Sequence, residues 1–114
     1  MWHHDFVKAK QSDPRNTIPG LTIVVHLGKE DDPVFLEFEH DEGLLHRCVS
    51  GTMYVFPGYA FSHRTIRPNP TPRRRYSIAI FIKFKPDRAE EADKYIHQCF
   101  HFTNDSYDTR IYTV

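Results

Sequence analysis

Short strand-like segments separated by turn signals are the feature that most constrains the fold of this chain. Segment 21–27 is β-branched and follows a Pro-Gly pair, while segment 34–39 alternates apolar and acidic residues. Segment 76–84 is the strongest, with a long β-branched and aromatic run. Further short segments lie at 44–49, 53–56, 60–67 and 109–114. This succession predicts an all-β domain built as a sandwich or jelly-roll barrel rather than a βαβ fold.

Alternation assigns sides to segment 34–39. Residues two apart on a strand share a face, so Val34, Leu36 and Phe38 should enter a core. Glu37 and Glu39 should then face water.

One helix is predicted near the C-terminal end of the sequence, over about residues 87–101. Asp87 follows a proline and is a suitable cap, and acidic residues occupy the first turns. Its apolar residues recur at three-to-four spacing: Ala89, Ala92, Tyr95 or Ile96, and Cys99. We interpret this stripe as a face that packs on the domain, and a partner-binding surface is the alternative.

Length and composition exclude several classes of protein. A chain of 114 residues predicts one domain, 1–114, and a net charge of zero does not favour a globally basic nucleic-acid binder. The longest apolar run, 78–82, is too short to cross a membrane, and the first residues lack a signal-peptide layout. We therefore expect an intracellular, cytoplasmic protein, with a nuclear location left open. Cys48 and Cys99 are expected to be reduced and mostly buried.

Charge is distributed unevenly despite the neutral sum. Residues 30–42 hold seven acidic side chains and residues 64–75 hold five arginines. Two solvated loops explain this pattern. The functional alternative is that the arginine loop attracts an anionic or macromolecular substrate.

A His-x-Asp pair, His3 and Asp5, is the first candidate site. On an extended strand these two side chains project to the same side. Together with one further histidine they would form the two-histidine, one-carboxylate triad that suits non-haem Fe(II) and leaves positions open for other ligands. A frayed, solvated end is the competing interpretation.

A second candidate site lies where the arginine loop enters segment 76–84. Arg75 and Ser77 share a strand face above the small Ala79, and a guanidinium can hold a carboxylate through two parallel hydrogen bonds. The opposite face carries an apolar row that should be covered: Tyr76, Ile78, Ile80, Ile82 and Phe84. Alternatively, Arg75 only extends the solvated basic loop.

Residues 63–70, His-Arg-Thr-Ile-Arg-Pro-Asn-Pro, are followed by 75–81, Arg-Tyr-Ser-Ile-Ala-Ile-Phe. This region resembles the C-terminal signature of the 2-oxoglutarate- and Fe(II)-dependent dioxygenases. The resemblance implies a double-stranded β-helix, a jelly-roll barrel of the cupin type. It implies Fe(II) ligands at His3, Asp5 and His63, which would also be the catalytic centre. It further implies 2-oxoglutarate binding by Arg75 and Ser77, with Tyr54 as a weaker candidate.

The activity implied by this resemblance is oxidative decarboxylation of 2-oxoglutarate to succinate, coupled to hydroxylation of a substrate by O2. The primary substrate is not readable from the residues. The family places a further strand before its His-x-Asp pair, and a sheet edge without it invites pairing, so a homodimer stays open.

Two other interpretations remain. His40, Asp41 and Glu42 with His46 could supply a rival site, although a solvated acidic turn explains them as well. The spacings from Gly51 to Pro57 and from Gly20 to His26 resemble incomplete cupin motifs. A cupin-like or degenerate barrel that binds a ligand without catalysis is therefore the alternative function.

Overall fold

The structure, a computed structural model, describes residues 1–6, 18–28, 33–68, 76–102 and 112–113. Its seven strands and one α-helix are, in chain order, β1 (Gly20–Leu27), β2 (Phe35–Phe38), β3 (His46–Arg47), β4 (Met53–Phe56), β5 (His63–Ile66), β6 (Tyr76–Lys83), α1 (Ala89–Phe100) and β7 (Tyr112–Thr113). Short 3₁₀ turns occupy Glu39–Asp41 and Pro86–Arg88. The prediction of an all-β protein with one C-terminal helix is confirmed at this level.

The strands form two antiparallel sheets. The first has the order β6-β1-β4-β7 and the second the order β3-β2-β5. In the second sheet, Phe38 lies opposite His63 and Glu37 opposite Arg64. An antiparallel bridge between His3 and His63 attaches the N-terminal segment to the far side of β5. The second sheet therefore carries the residues on which the candidate site depends.

The core joins both sheets to the helix. Val34, Leu36 and Phe38 are buried as the alternation predicts. The buried cluster is mostly aromatic, with two aliphatic residues: Leu36, Phe38, Phe56, Tyr59, Phe61, Ile96, Phe100 and Phe102. Burying an aromatic or aliphatic side chain contributes about 1.5–3 kcal/mol each, so this cluster is the main source of stability among the described residues.

The prediction that Glu37 faces water is wrong. Its side chain is 3% exposed, and it accepts hydrogen bonds from Arg64 Nε and the Gly43 backbone, both at 2.7 Å. The Gly43 hydrogen bond is the largest cause that keeps the pKa of Glu37 below its usual value; burial opposes it and Arg64 reinforces it. A buried carboxylate is tolerated because it is paired and hydrogen-bonded.

Strand β6 departs from the prediction of a covered apolar row. It pairs with β1 along all eight residues, but every one of them is exposed. Ile78, Ile80 and Ile82 are 40–49% exposed. Of the predicted row, Phe84, just after β6, is the member that packs against the core.

Several element boundaries also differ. Segment 44–49 is a strand only at His46–Arg47, and segment 60–67 only at His63–Ile66. The edge strand expected over 109–114 is described at Tyr112–Thr113, where it pairs with β4.

The helix begins at Ala89, after the Pro86–Arg88 turn, and no side chain caps it, so the capping role predicted for Asp87 is wrong. Its buried face consists of Ala92, Ile96 and Phe100. Tyr95 is 68% exposed. Cys99 is exposed and Cys48 is half-buried, and both are thiols outside a disulfide, so the expectation of burial is wrong for Cys99. In the part of the chain that the structure describes, α1 is too short to cross a bilayer and no other helix has the required length and apolar character.

Candidate metal centre

His3, Asp5 and His63 converge on one point at the edge of the second sheet. One potential ligand atom from each residue lies within 4.8 Å of the other two. His63 Nε2 is 3.2 Å from Asp5 Oδ2, and His3 Nε2 is 3.7 Å from Asp5 Oδ1. Ligands on one face of an octahedral ion with bonds of about 2.1 Å are about 3 Å apart, so small side-chain rotations would bring these atoms onto one ion.

Backbone hydrogen bonds hold the three residues in place. The His3 N–H donates to the His63 carbonyl at 3.0 Å, and the His63 N–H donates to the His3 carbonyl at 2.9 Å. Two residues further along, the Asp5 N–H donates to the Gly58 carbonyl at 2.8 Å. The short N-terminal segment is thereby fixed at both ligand positions. His63 itself is 5% exposed and packs edge-on against Phe56, with the ring centroids 4.8 Å apart.

One hydrogen bond determines which nitrogen of His63 is available to a metal. Nδ1 lies 2.6 Å from the Phe61 carbonyl oxygen, which can only accept, so Nδ1 carries the proton. The lone pair of neutral His63 is then on Nε2, facing the Asp5 carboxylate. Two acceptors that face each other need a cation between them, either a proton or a metal ion. A backbone carbonyl that orients a ligand histidine in this way is typical of metal sites.

The Asp5 carboxylate is 11% exposed and receives a hydrogen bond from Thr22 Oγ1 at 2.7 Å. Burial alone would raise the pKa of Asp5, but the hydrogen bonds from His63 and Thr22 and the nearby histidines hold it below its usual value. Burial lowers the pKa of His3, and the charge of His63 adds to this effect. The site therefore favours an ionised Asp5 carboxylate beside a neutral His3 imidazole, which are the protonation states that bind metal.

Gly58 leaves the space that the Asp5 carboxylate occupies. A Cβ atom at position 58 would overlap Thr22 Oγ1 and Asp5 Oδ2 and lie 3.0 Å from Asp5 Cγ. Only glycine allows the backbone to approach the carboxylate this closely.

Thr22 is 1% exposed and orients the carboxylate, so its hydroxyl should matter to metal binding. We expect Thr22→Val, which keeps the shape, to weaken Mn(II) binding by about 10- to 100-fold, the usual effect of losing a group that orients a metal ligand. Calorimetric titration with Mn(II) measures this. Thr52→Val is the control, because Thr52 is a half-buried loop residue before β4. Equal Mn(II) affinities of the two variants would contradict the role of Thr22.

Of the predicted 2-oxoglutarate residues, Ser77 and Tyr54 lie on the first sheet. Ser77 is exposed on β6, opposite the buried His26 of β1, and Arg75 lies outside the described residues. Tyr54 is buried, and its hydroxyl donates to the Arg47 carbonyl at 2.7 Å and accepts from the Val49 N–H at 2.9 Å. These bonds fix the loop between β3 and β4, so a cosubstrate contact of Tyr54 stays a prediction.

The rival residues do not gather into a comparable group. His40 stacks on Phe38, and His46 meets the same ring edge-on. Burial lowers the pKa of both histidines. Within the described ranges, only His3, Asp5 and His63 bring three potential ligand atoms together.

Thr22, Gly58 and Phe61 were not predicted as site residues. Thr22 lies on a strand face with Val24 and His26, and as a β-branched strand residue it gives no separate signal of a role in the site. Gly58 reads in the sequence as a turn that stops β4, and the Phe61 contribution is a backbone carbonyl without a side-chain signal.

Comparison with known proteins gives no match to a family model, to a curated protein or to a solved structure.

Proposed function

We propose that the protein is a 2-oxoglutarate- and Fe(II)-dependent dioxygenase that hydroxylates a substrate. The observation that carries this proposal is the convergence of His3, Asp5 and His63. His3 and His63 are sixty residues apart in sequence, yet the potential ligand atoms of all three side chains lie within 4.8 Å of one another. Two imidazoles and one carboxylate form the ligand set of non-haem Fe(II) oxygenases, whereas structural zinc sites use four protein ligands.

The residues present fit Fe(II). His3, Asp5 and His63 would hold it, and bound Fe(II) with 2-oxoglutarate supplies the oxidative decarboxylation to succinate that drives hydroxylation by O2. The chain's own contributions are orientation and charge. The Phe61 carbonyl holds the proton on Nδ1 of His63, Thr22 and the Gly58 carbonyl orient Asp5, and Phe56 excludes water from one side of His63.

The proposed fold of this enzyme is the double-stranded β-helix. Its support is the pair of antiparallel sheets, with β5 between β2 and the His3 segment, and β1 between β4 and β6. The resemblance implies that Arg75 and Ser77 would bind the far carboxylate of 2-oxoglutarate. The substrate would be anionic or macromolecular because residues 64–75 hold five arginines. A homodimer is compatible with the exposed edge strand β6.

The proposal is tested by 2-oxoglutarate binding in Mn(II) without oxygen, followed by succinate release in Fe(II) with oxygen. Arg75→Lys keeps the charge but loses the forked geometry, so 2-oxoglutarate affinity should fall by about 10- to 150-fold, equivalent to ~1.5–3 kcal/mol. Arg74→Lys is the matched control and should change affinity little, because alternation predicts that neighbouring side chains on an extended segment project to opposite faces.

Equal small effects of the two substitutions would contradict the carboxylate clamp. Metal binding without 2-oxoglutarate binding or succinate release would contradict the dioxygenase and favour the cupin-like binding barrel.

A further inference from the structure

Three side chains form a row across the second sheet: Trp2, Arg64 and Glu37. Arg64 Nε donates to Glu37 Oε1 at 2.7 Å, and the Arg64 Cζ atom lies 4.1 Å from the centroid of the Trp2 ring. Glu37 is 3% exposed and Arg64 is 32% exposed, so the contacts are partly shielded from water. We call this row the Trp2 bracket.

The bracket lies one residue away from the row that holds the metal ligands. Glu37 is the cross-strand partner of Arg64, and Phe38 is that of His63. The bridge from His3 to His63 then places Trp2 beside Arg64. Because neighbouring residues on a strand face opposite sides, the bracket and the ligand row are on opposite faces of the same three segments.

The ligand geometry depends on the register of a very short pairing. Among the described residues, the N-terminal segment pairs with β5 at a single bridge, through two backbone hydrogen bonds. A slip of one residue would turn His3 to the other face and away from His63. A cation–π contact to an arginine whose other side is held by a buried carboxylate favours one register over its neighbours.

We propose that Trp2 and Arg64 are positioning residues of the metal centre, holding the segment that carries His3 and Asp5 in the register that binds metal. This inference rests on the metal binding proposed above. It predicts that the aromatic face of Trp2 matters to metal affinity although Trp2 provides no ligand.

The test is Mn(II) affinity, measured from the electron paramagnetic resonance signal of free Mn(II), for the wild type and four variants. Trp2→Leu keeps an apolar side chain without a π face, so we expect binding about five- to thirty-fold weaker, the factor that corresponds to a partly shielded cation–π contact. Trp2→Tyr restores a π face and should recover most of the affinity. Arg64→Lys keeps the charge but loses the planar group, and should weaken binding in the same direction.

Arg88→Ala is the matched control, since Arg88 lies just before the helix and forms an exposed ion pair with Glu91 at 2.7 Å. It should bind Mn(II) as the wild type does. Melting temperatures without metal separate positioning from folding, because the Trp2 variants should lose affinity while their apo stability changes little. If the wild type binds Mn(II), and Trp2→Leu and Trp2→Tyr have equal affinities for Mn(II), the Trp2 bracket has no positioning role. If the wild type itself binds no Mn(II), the metal centre is wrong as well.

Discussion

His63→Ala should abolish the stabilisation of this protein by Fe(II) or Mn(II), whereas His46→Ala should leave it intact. A metal that binds only the folded state stabilises it by about 2.7 kcal/mol at a concentration 100 times its dissociation constant. For a domain of this size, that corresponds to a rise of roughly 10 °C in melting temperature. Differential scanning calorimetry with and without Mn(II) measures the difference directly.

The rise in melting temperature on adding metal is the relevant quantity, because His63 is 5% exposed and its truncation also removes packing against Phe56. Asp5→Asn provides a second variant that keeps the shape of the side chain and removes its charge. It should also lose most of this rise. If the His63 and His46 variants lose this metal-dependent rise equally, the metal site would instead lie near the acidic turn at residues 40–42.

Gly58→Ala should damage the same site without changing any ligand. The added methyl group would occupy the position of the Asp5 carboxylate and the Thr22 hydroxyl, so both must move. We expect Mn(II) affinity to fall by about 10- to 100-fold, as for other groups that orient a ligand. Isothermal titration calorimetry provides the affinity, and a thermal melt without metal provides the apo stability.

Gly51→Ala is the control for general destabilisation. Gly51 has φ of +81°, so alanine strains the backbone, but a Cβ there would contact nothing within 4 Å. It should lower stability yet keep full Mn(II) affinity. Wild-type affinity in Gly58→Ala would show that Asp5 is not held where the structure places it.

Much of the candidate site could be predicted because it depends on the alternation of side chains along single strands. Alternation places His3 and Asp5 on one side of an extended segment, and β5 presents His63 inward for the same reason. What brings them together is the pairing of the N-terminal segment with β5, a contact between residues 60 apart. Only the family resemblance predicted this pairing; strand periodicity does not determine which strands pair.

The errors have the same origin. Glu37 has the alternation of a water-facing residue, but a cross-strand arginine and the Gly43 N–H make its burial favourable. The apolar row of β6 predicts a covered face, but all eight residues of the strand are exposed. In each case the alternation predicts a side, while a partner distant in sequence decides the environment.

The most direct test of the central claim is the anomalous scattering of Mn(II) in crystals grown without oxygen in the presence of 2-oxoglutarate. The account predicts one strong anomalous peak bonded to the side chains of His3, Asp5 and His63, with 2-oxoglutarate on the same ion and its far carboxylate at Arg75 and Ser77. A peak at His40 and His46, or no peak between His3 and His63, would contradict it.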